Sequence, residues 1–213
     1  MQPLPRPFYD RDAVVVAREL LGKLLLRATE EGTCIGRIVE TEAYLAENDP
    51  ASHSYRGPNR KNATMFQGPG LLYVYVIHAR YCMNVVTQPP GTASAVLLRA
   101  VEPLAGVDLM GQRRGQRKLQ DLARGPARLC EAFAVNRQLD GWDLTSGQQV
   151  WIAADPDCPP EPIISNSPRI GVTSAHDLPL RFFIADSPFV SGRKKTRIEI
   201  HSEGAARRPN RRK

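Results

Sequence analysis

The pattern of apolar and polar positions predicts one short helix followed by a series of strands. Asp12 carries the short carboxylate of a helix N-cap, residues 13–21 are largely apolar and Gly22 is a stop signal, so a helix is expected between them. Strands are predicted at residues 23–27, 34–44, 71–77, 81–88, 94–101, 149–153, 180–185 and 196–201, and further helices at 106–114 and 126–135.

Short connections between these strands indicate antiparallel pairing. Residues 29–32 form the turn of one hairpin, residues 78–80 connect a second pair, and residues 89–91 lead into the strand at 94–101, which makes a meander. The regular alternation of strand and helix that a parallel sheet would require is not found. We therefore predict an α+β fold, a single domain built on a curved, mainly antiparallel sheet with flanking helices.

A polar stretch at residues 46–70 separates the first strand pair from the second. It is rich in Asn, Pro, Gly and Ser and carries Arg56, Arg60 and Lys61. The stretch is either a long ordered loop or a disordered one. Loops of this length are uncommon inside a domain unless they have a function, so we favour an element of a functional site.

Length and composition limit the class of protein. The chain has 213 residues, of which 42% are hydrophobic and 24% charged, which is ordinary for one globular domain. No apolar run reaches the roughly 20 residues of a membrane-spanning helix, and no secretory signal is found at the N-terminus. The four cysteines lack metal-site spacing, so we expect neither disulfide nor zinc, and no cofactor is implied.

The basic character of the chain is confined to its C-terminus. Residues 193–213 contain nine basic and two acidic residues, which accounts for the whole net charge of +7. Such an arm can hold phosphates without specificity, or it can merely improve solubility. The predicted organisation is a domain at 1–192 followed by a basic tail that we expect to be partly disordered.

The strand at 34–44 ends in acidic and aromatic residues. A period of two places Glu40, Glu42 and Tyr44 on one face of the strand. A carboxylate beside an aromatic ring can act as a general base, because partial burial raises its pKa and positions it against a water. The alternative is an exposed strand edge that carries glutamates.

Four further residues are candidates for a functional site. Tyr73 and Tyr75 lie on one face of a strand, where they either stack against bases or fill the core. His53 falls in the polar loop, where a histidine is usually only exposed. Arg99 lies in an apolar strand and needs a partner charge, as in a water-activating site or in a structural ion pair.

Together these segments resemble the alkyladenine (3-methyladenine) DNA glycosylase family. The resemblance covers about residues 7–191, and its motifs follow one another in the family's order. They include RIVETEAYL at 37–45, HS at 53–54, GLLYVY at 70–75, CMN at 82–84, VLLRA at 96–100, GPARLC at 125–130 and RIGV at 169–172.

The resemblance implies a monofunctional enzyme of base excision repair. Such an enzyme flips an alkylated or deaminated purine, such as 3-methyladenine, hypoxanthine or ethenoadenine, out of DNA and hydrolyses its glycosidic bond. Glu42 corresponds to the general base that deprotonates the attacking water, and Arg99 to its partner. Ile170 corresponds to the residue whose backbone carbonyl helps to hold that water. The motifs offer no lysine at a matching nucleophile position, so water is the expected nucleophile. The expected product is an abasic site, without cleavage of the DNA strand by Schiff-base chemistry.

The resemblance also assigns the base-binding pocket. Tyr44, His53 and Tyr75 correspond to the aromatic walls, and Asn84 to the side chain on the floor that excludes the 2-amino group of guanine. A cationic alkylated purine between such walls gains about 2 kcal/mol of cation–π attraction when desolvated.

The sequence departs from the family at the hairpin that enters the duplex. The family carries an intercalating tyrosine there, whereas this slightly shorter hairpin reads His78-Ala79-Arg80-Tyr81. His78 takes the place of the tyrosine if the gap follows Tyr81, and Arg80 or Tyr81 takes it if the gap falls earlier. The residues expected at the wedge or the DNA backbone are therefore His78, Arg80, Tyr81, Arg56, Arg60 and Lys61.

Two other functions would share features of this sequence. A nucleoside hydrolase would break the same bond, but it usually holds a metal between clustered aspartates, which this sequence lacks. A non-catalytic binder of damaged DNA would keep the basic tail and the tyrosines, yet it would have no reason to keep Glu42 and Arg99 as a pair. The expected protein is a monomer without a membrane segment, cytoplasmic, and nucleoid-associated if bacterial, acting on duplex DNA that contains damaged purines.

Overall fold

The computed structural model describes residues 1–115, 118–157 and 162–192. These residues form a single domain in which nine strands build one curved antiparallel sheet and four α-helices flank it, which confirms the predicted α+β class. Cys158, the strand predicted at 196–201 and the basic tail lie outside the described residues, so the domain boundary at 192 stays a prediction. In the part that is described, no helix is long and apolar enough to cross a membrane.

Most of the regular elements lie close to the positions that the pattern predicts. The strands are β1 (Leu24–Thr29), β2 (Gly32–Tyr44), β3 (Leu71–Ile77), β4 (Arg80–Thr87), β5 (Ser94–Ala105), β6 (Trp142–Asp143), β7 (Val150–Ala153), β8 (Ile164–Ser167) and β9 (Arg181–Ile184). The α-helices are α1 (Arg6–Tyr9), α2 (Ala13–Glu19), α3 (Val107–Arg114) and α4 (Pro126–Ala132), and 3-10 helices cover Ala63–Phe66, Leu119–Asp121 and Arg137–Leu139. The elements α1, β6 and β8 were not predicted. Helix α1 has only four residues, too few to show a helical period, and β6 and β8 contain one large apolar residue each, unlike the equally short β7 and β9.

Strand β2 lies at the centre of the sheet and positions the residues of interest. The order is β6-β3-β4-β5-β2-β1-β7, which contains the predicted hairpin and meander. On one side of β2, β1 pairs with residues 32–37, and further along the same side β9 pairs with Glu40–Glu42. Register shifts against β5 on both sides of Glu40 interrupt the ladder there. The C-terminal end of β2 is therefore enclosed between β5 and β9, and Glu40, Thr41 and Glu42 are fully buried.

Helix α2 covers this region of the sheet. The Asp12 carboxylate accepts hydrogen bonds from the N–H groups of Val14 and Val15, as expected of an N-cap. Val16 and Ala17 are fully buried against the sheet. The hydroxyl of Thr41 donates to the Ala17 carbonyl at 2.8 Å, which ties β2 to the helix one residue from Glu42.

Three predicted boundaries are wrong, each for a local reason. Helix α4 ends at Ala132 rather than at residue 135, since Ala134 has a φ of +48°. Strand β5 continues beyond residue 101 because Pro103 pairs with Gly36 at a register shift, where the missing N–H is tolerated. The turn between β3 and β4 has two residues, His78 and Ala79, rather than three.

Polar side chains within the segment hold the loop at 46–70 in an ordered conformation. The Asp49 carboxylate accepts from the N–H groups of Leu45 at 3.0 Å and Ala51 at 3.2 Å. The Asn62 amide donates to the carbonyl of His53 at 2.8 Å. Side-chain bonds of this kind replace the ladder that a loop lacks, so the segment presents His53 in a fixed position.

Candidate active site

Three buried charged side chains meet at the end of β2. Arg99 of β5 donates from Nε to Oε1 of Glu40 at 2.9 Å, and its Nη1 lies 3.1 Å from Oε1 of Glu42. Both carboxylates are fully buried and 7% of the Arg99 side chain is exposed. A buried charge is tolerated only when it is paired, so the arginine that the sequence marks as needing a partner has two.

Glu40 is occupied by contacts within the protein. Besides Arg99, its carboxylate accepts from Nε of Arg181 at 2.7 Å and from the N–H and hydroxyl of Ser191 at 2.6 Å and 2.9 Å. Arg181 in turn donates to the Ser191 carbonyl at 2.8 Å. These bonds fix Glu40 and hold the guanidinium of Arg99 against Glu42.

Glu42 has different surroundings, because its remaining partners lie beside an open cavity. Its Oε1 accepts the N–H of Ile170 at 2.8 Å, and its Oε2 accepts the hydroxyl of Tyr44 at 3.0 Å. Burial raises the pKa of Glu42 above its usual range, while Arg99 and these two hydrogen bonds counter part of that rise. The arrangement gives an oriented carboxylate with a raised pKa.

The cavity has a volume of about 230 Å³ and lies between the loop after β2, the sheet and the loop after β8. The four residues assigned to the base pocket, Tyr44, His53, Tyr75 and Asn84, all line it. The other lining residues are Pro50, Ala51, Met65, Tyr73, Ile77, Ala95, Gly171, Val172, Thr173 and Ser174.

Aromatic rings dominate one side of the cavity. The His53 ring meets the Tyr75 ring edge to face, with centroids 4.6 Å apart, and its Nδ1 lies 2.9 Å from the Tyr73 hydroxyl. Burial lowers the pKa of His53, raises that of Tyr73 to about 12 and raises that of Tyr75 further. All three rings are therefore uncharged at neutral pH and suit the stacking of a planar group.

The amide of Asn84 is fixed where β4 meets β3. Its Nδ2 donates to the Tyr73 carbonyl at 3.1 Å, and the side chain is buried. Because one end of the amide is engaged by the sheet, its orientation in the cavity is set by the fold. A polar group held in this way can discriminate between the edges of planar ligands.

Comparison with known proteins identifies the family. The family model described as methylpurine-DNA glycosylase (MPG) matches residues 7–188. The chain belongs to the methylpurine-DNA glycosylase family. This family consists of DNA glycosylases of base excision repair, which hydrolyse N-glycosyl bonds in DNA, and the resemblance noted in the sequence is confirmed.

Curated relatives of the methylpurine-DNA glycosylase family match over nearly their whole length. Proteins from Koribacter versatilis and Methanoculleus marisnigri are 46% identical over 198 residues and 48% identical over 193 residues. The alignments cover 91% and 89% of this chain and 95% and 99% of the relatives. A protein from Carboxydothermus hydrogenoformans is 43% identical over 189 residues, covering 88% and 98%. All three bear the name "Putative 3-methyladenine DNA glycosylase".

In this glycosylase the β3–β4 hairpin projects beside the cavity. Its turn residues His78 and Ala79 are exposed, with φ angles of +47° and +60°, an unusual conformation for residues other than glycine. Of the three residues proposed as the wedge, His78 lies at the tip. Arg80 follows it, with Nη1 3.7 Å from the Glu131 carboxylate, and Tyr81 packs against the hydrophobic core.

The basic loop of the glycosylase lies next to His53. Arg56, Arg60 and Lys61 are exposed, and none of them forms an ion pair with another described residue. Unpaired cations on this loop are available to phosphates.

Some residues of the site are missing from the sequence-based assignment. Ile77 lines the cavity although it was read only as part of a strand, and Arg169 packs behind Tyr44 although only its neighbour Ile170 was singled out. The position of Arg169 inside the RIGV motif was the available signal. Among the described residues, no cluster of three or more His, Cys, Asp or Glu could hold a metal ion, and Cys34, Cys82 and Cys130 are free and buried.

Proposed function

We propose that this member of the family excises alkylated or deaminated purines from duplex DNA by water attack and leaves an abasic site. The observation that carries the proposal is the hydrogen-bond path from the buried carboxylate of Glu42 through Tyr44 to a cavity walled by aromatic rings. Hydrolysis of a flipped nucleotide requires a general base next to a site on which the nucleobase can stack.

The flipped base enters between Tyr44, His53 and Tyr75. An alkylated cationic purine is attracted to the faces of uncharged rings and is already a good leaving group. Its weakened pairing lowers the energy needed for extrusion, so selectivity begins before the base reaches the cavity. Asn84 meets the edge of the base, where it disfavours the 2-amino group of guanine.

Glu42 accepts a proton from the water that attacks C1′, while the C1′–N bond breaks and its electron pair leaves with the base. A cationic base leaves as a neutral molecule, and a neutral base takes up one proton from solvent. Arg99 keeps the carboxylate ionised and oriented, since its guanidinium is fixed on the other side by Glu40. The N–H of Ile170 donates to the same carboxylate at 2.8 Å, which places this residue beside the proposed base, and its backbone carbonyl is assigned to holding the water. The described residues that line the cavity include no lysine, which favours a water nucleophile and an intact DNA strand.

The hairpin tip and the basic loop capture the duplex. Ile77 and His78 fill the space that the base leaves, while Arg56, Arg60 and Lys61 contact phosphates. The protein acts as a monomer, and in a bacterial cell it is found in the cytoplasm on the nucleoid.

The experiment measures release of 3-methyladenine, hypoxanthine and ethenoadenine from duplex oligonucleotides, followed by alkaline cleavage of the abasic sites. Glu42→Gln is assayed beside the parent protein, with Glu47→Gln as the matched control, because Glu47 is exposed on the same stretch of chain. Excision falls by about 10²–10⁴ in Glu42→Gln alone if Glu42 is the base. Damage-specific binding without release of any base by the parent protein would make it a non-catalytic damaged-DNA-binding module instead.

A further inference from the structure

A buried ion pair lies directly behind the aromatic wall of Tyr44. Arg169 and Asp49 are both fully buried and are joined by two hydrogen bonds of 2.7 Å, from Nη1 and Nη2 to the two carboxylate oxygens. Nη1 also donates to the Ala43 carbonyl at 3.0 Å. The guanidinium carbon lies 4.6 Å from the centroid of the Tyr44 ring. We call this pair the Arg169–Asp49 clasp.

The Tyr44 ring separates the clasp from the cavity. Tyr44 lines the cavity, whereas neither Arg169 nor Asp49 does. The guanidinium therefore occupies the ring face that is turned away from the cavity. In addition, the Nε of Arg169 has no hydrogen-bond partner among the described residues.

We propose that the Arg169–Asp49 clasp sets the selectivity of the pocket between cationic and neutral bases. The inference rests on the proposed function, because it takes a purine stacked on the open face of Tyr44 as its starting point. A ring that already attracts a cation on one face attracts a second cation less strongly on the other, and the two positive charges repel each other. A neutral base meets neither penalty, so the clasp shifts the pocket towards neutral lesions.

Asp49 limits the size of this effect. Its carboxylate opposes the field of Arg169, but of the two charged groups only the guanidinium is stacked on the Tyr44 ring, so we take the arginine as the charge nearer to the base. The cavity therefore experiences a dipole whose positive end points to the base. Removing both charges removes the dipole, whereas neutralising Asp49 alone leaves the full positive charge.

A purely structural clasp predicts a different outcome. Asp49 also accepts the N–H groups of Leu45 and Ala51, and the residue after Arg169 donates to Glu42, so breaking the clasp disturbs the loop and the catalytic base. Such damage lowers excision of every lesion by a similar factor. A change in the basicity of Glu42 acts on both rates in the same direction, since the same water attack removes both kinds of base.

The test is the ratio of single-turnover excision rates for cationic 3-methyladenine and neutral ethenoadenine in the same duplex. In the double variant Arg169→Gln/Asp49→Asn the two side-chain amides can still hydrogen-bond to each other, but both charges are gone. This variant raises the ratio by about threefold, whereas Asp49→Asn alone lowers it by about threefold. The matched control Arg37→Gln/Asp155→Asn removes another Arg–Asp pair, bonded at 2.8 Å between β2 and a loop, and leaves the ratio unchanged.

Opposite shifts in the two clasp variants establish the inference, because loss of structure cannot change the ratio in both directions. An unchanged ratio in both, or the same shift in both, overturns it while the proposed function stands. If the double variant does not fold, the rate ratio of Asp49→Asn alone decides: a lower ratio than in the parent protein supports the inference, and an unchanged or higher ratio overturns it. A parent protein that releases neither base contradicts the proposed function instead, and the ratio of the two duplexes' dissociation constants then tests the clasp.

Discussion

Glu40 and Glu42 are bridged by one guanidinium, that of Arg99, whose Nε lies 2.9 Å from Glu40 and whose Nη1 lies 3.1 Å from Glu42. The two carboxylates are otherwise in different environments. Glu40 is held by Arg181 and Ser191, whereas Glu42 is hydrogen-bonded to Tyr44 at the cavity. One strand end thus provides a carboxylate for positioning and a second for the proposed chemistry.

The hydroxyl of Tyr44 tunes the proposed base. Tyr44→Phe keeps the ring but removes the hydrogen bond to Glu42, one of the contacts that counter the effect of burial on the pKa of Glu42. The pKa of Glu42 then rises further, so the carboxylate becomes protonated at a higher pH. Because only the ionised form accepts a proton from water, the acidic limb of the pH–rate profile moves to higher pH by about half a unit to one unit.

Single-turnover excision of ethenoadenine across the acidic and neutral range measures that limb. Tyr55→Phe, which removes a hydroxyl from an exposed tyrosine, serves as the control and leaves the limb in place. A limb that stays fixed or moves to lower pH in Tyr44→Phe would show that another group titrates.

How far the site can be predicted from the sequence depends on separation along the chain. Glu42 and Tyr44 share one strand, so the period of two relates them directly. Arg99 can be recognised because a charge in an apolar strand requires a partner, although the sequence does not show that Glu40 shares it. The pairing of Arg169 with Asp49 spans 120 positions and depends on how the loop after β8 packs against the loop after β2. No local pattern contains that information.

For the fold, too, local patterns are predicted from the sequence and contacts between distant segments are not. Strands of six or more residues, such as β2 and β5, combine apolar runs with clear turn residues and are predicted correctly in type and in place along the chain, whereas the pairing of β2 with β5 is not predicted. Strand β8 has the sequence ISNS and is formed because β9 pairs with it. Tertiary pairing, not local preference, makes it a strand.

Glu40 is a positioning residue whose loss has two consequences. Glu40→Gln leaves the buried Arg181 without its carboxylate partner and Arg99 with Glu42 alone, so the free energy of unfolding falls by about 3–5 kcal/mol. The negative charge of Glu40 also raises the pKa of Glu42, so its removal lowers that pKa. The acidic limb of the pH–rate profile therefore moves to lower pH, opposite to the shift in Tyr44→Phe.

Urea unfolding and the pH–rate profile measure these two consequences separately. The control is Glu102→Gln, since Glu102 pairs with Arg37 at a site where 32% of the glutamate side chain is exposed, and such a pair contributes at most about 1 kcal/mol. Equal losses of stability in the two variants would contradict the role of Glu40 in the buried network. An unshifted limb would mean that Glu40 acts on stability alone.

The β3–β4 hairpin offers a matched pair of apolar residues for testing capture of the duplex. Ile77 and Val76 are neighbours on β3, with 46% and 53% of each residue exposed, but only Ile77 lines the cavity. Their side chains point to opposite faces of the strand because successive residues alternate. If the hairpin tip fills the gap left by the flipped base, Ile77 is the residue of this pair that adjoins the cavity, and His78 follows it at the tip.

Ile77→Ala is therefore expected to lower excision of ethenoadenine from duplex DNA by about tenfold, because unstacking costs a few kcal/mol that the side chain partly replaces. Excision from a single strand, in which no stacked partner has to be displaced, falls much less. Val76→Ala removes a similar exposed side chain from the other face and changes neither rate. Single-turnover rates on both substrates distinguish a residue that intercalates in the duplex from one that only lines the cavity. An equal fall on single-stranded and duplex DNA would make Ile77 only a wall of the cavity. His78→Ala would then be the remaining test of whether the hairpin intercalates.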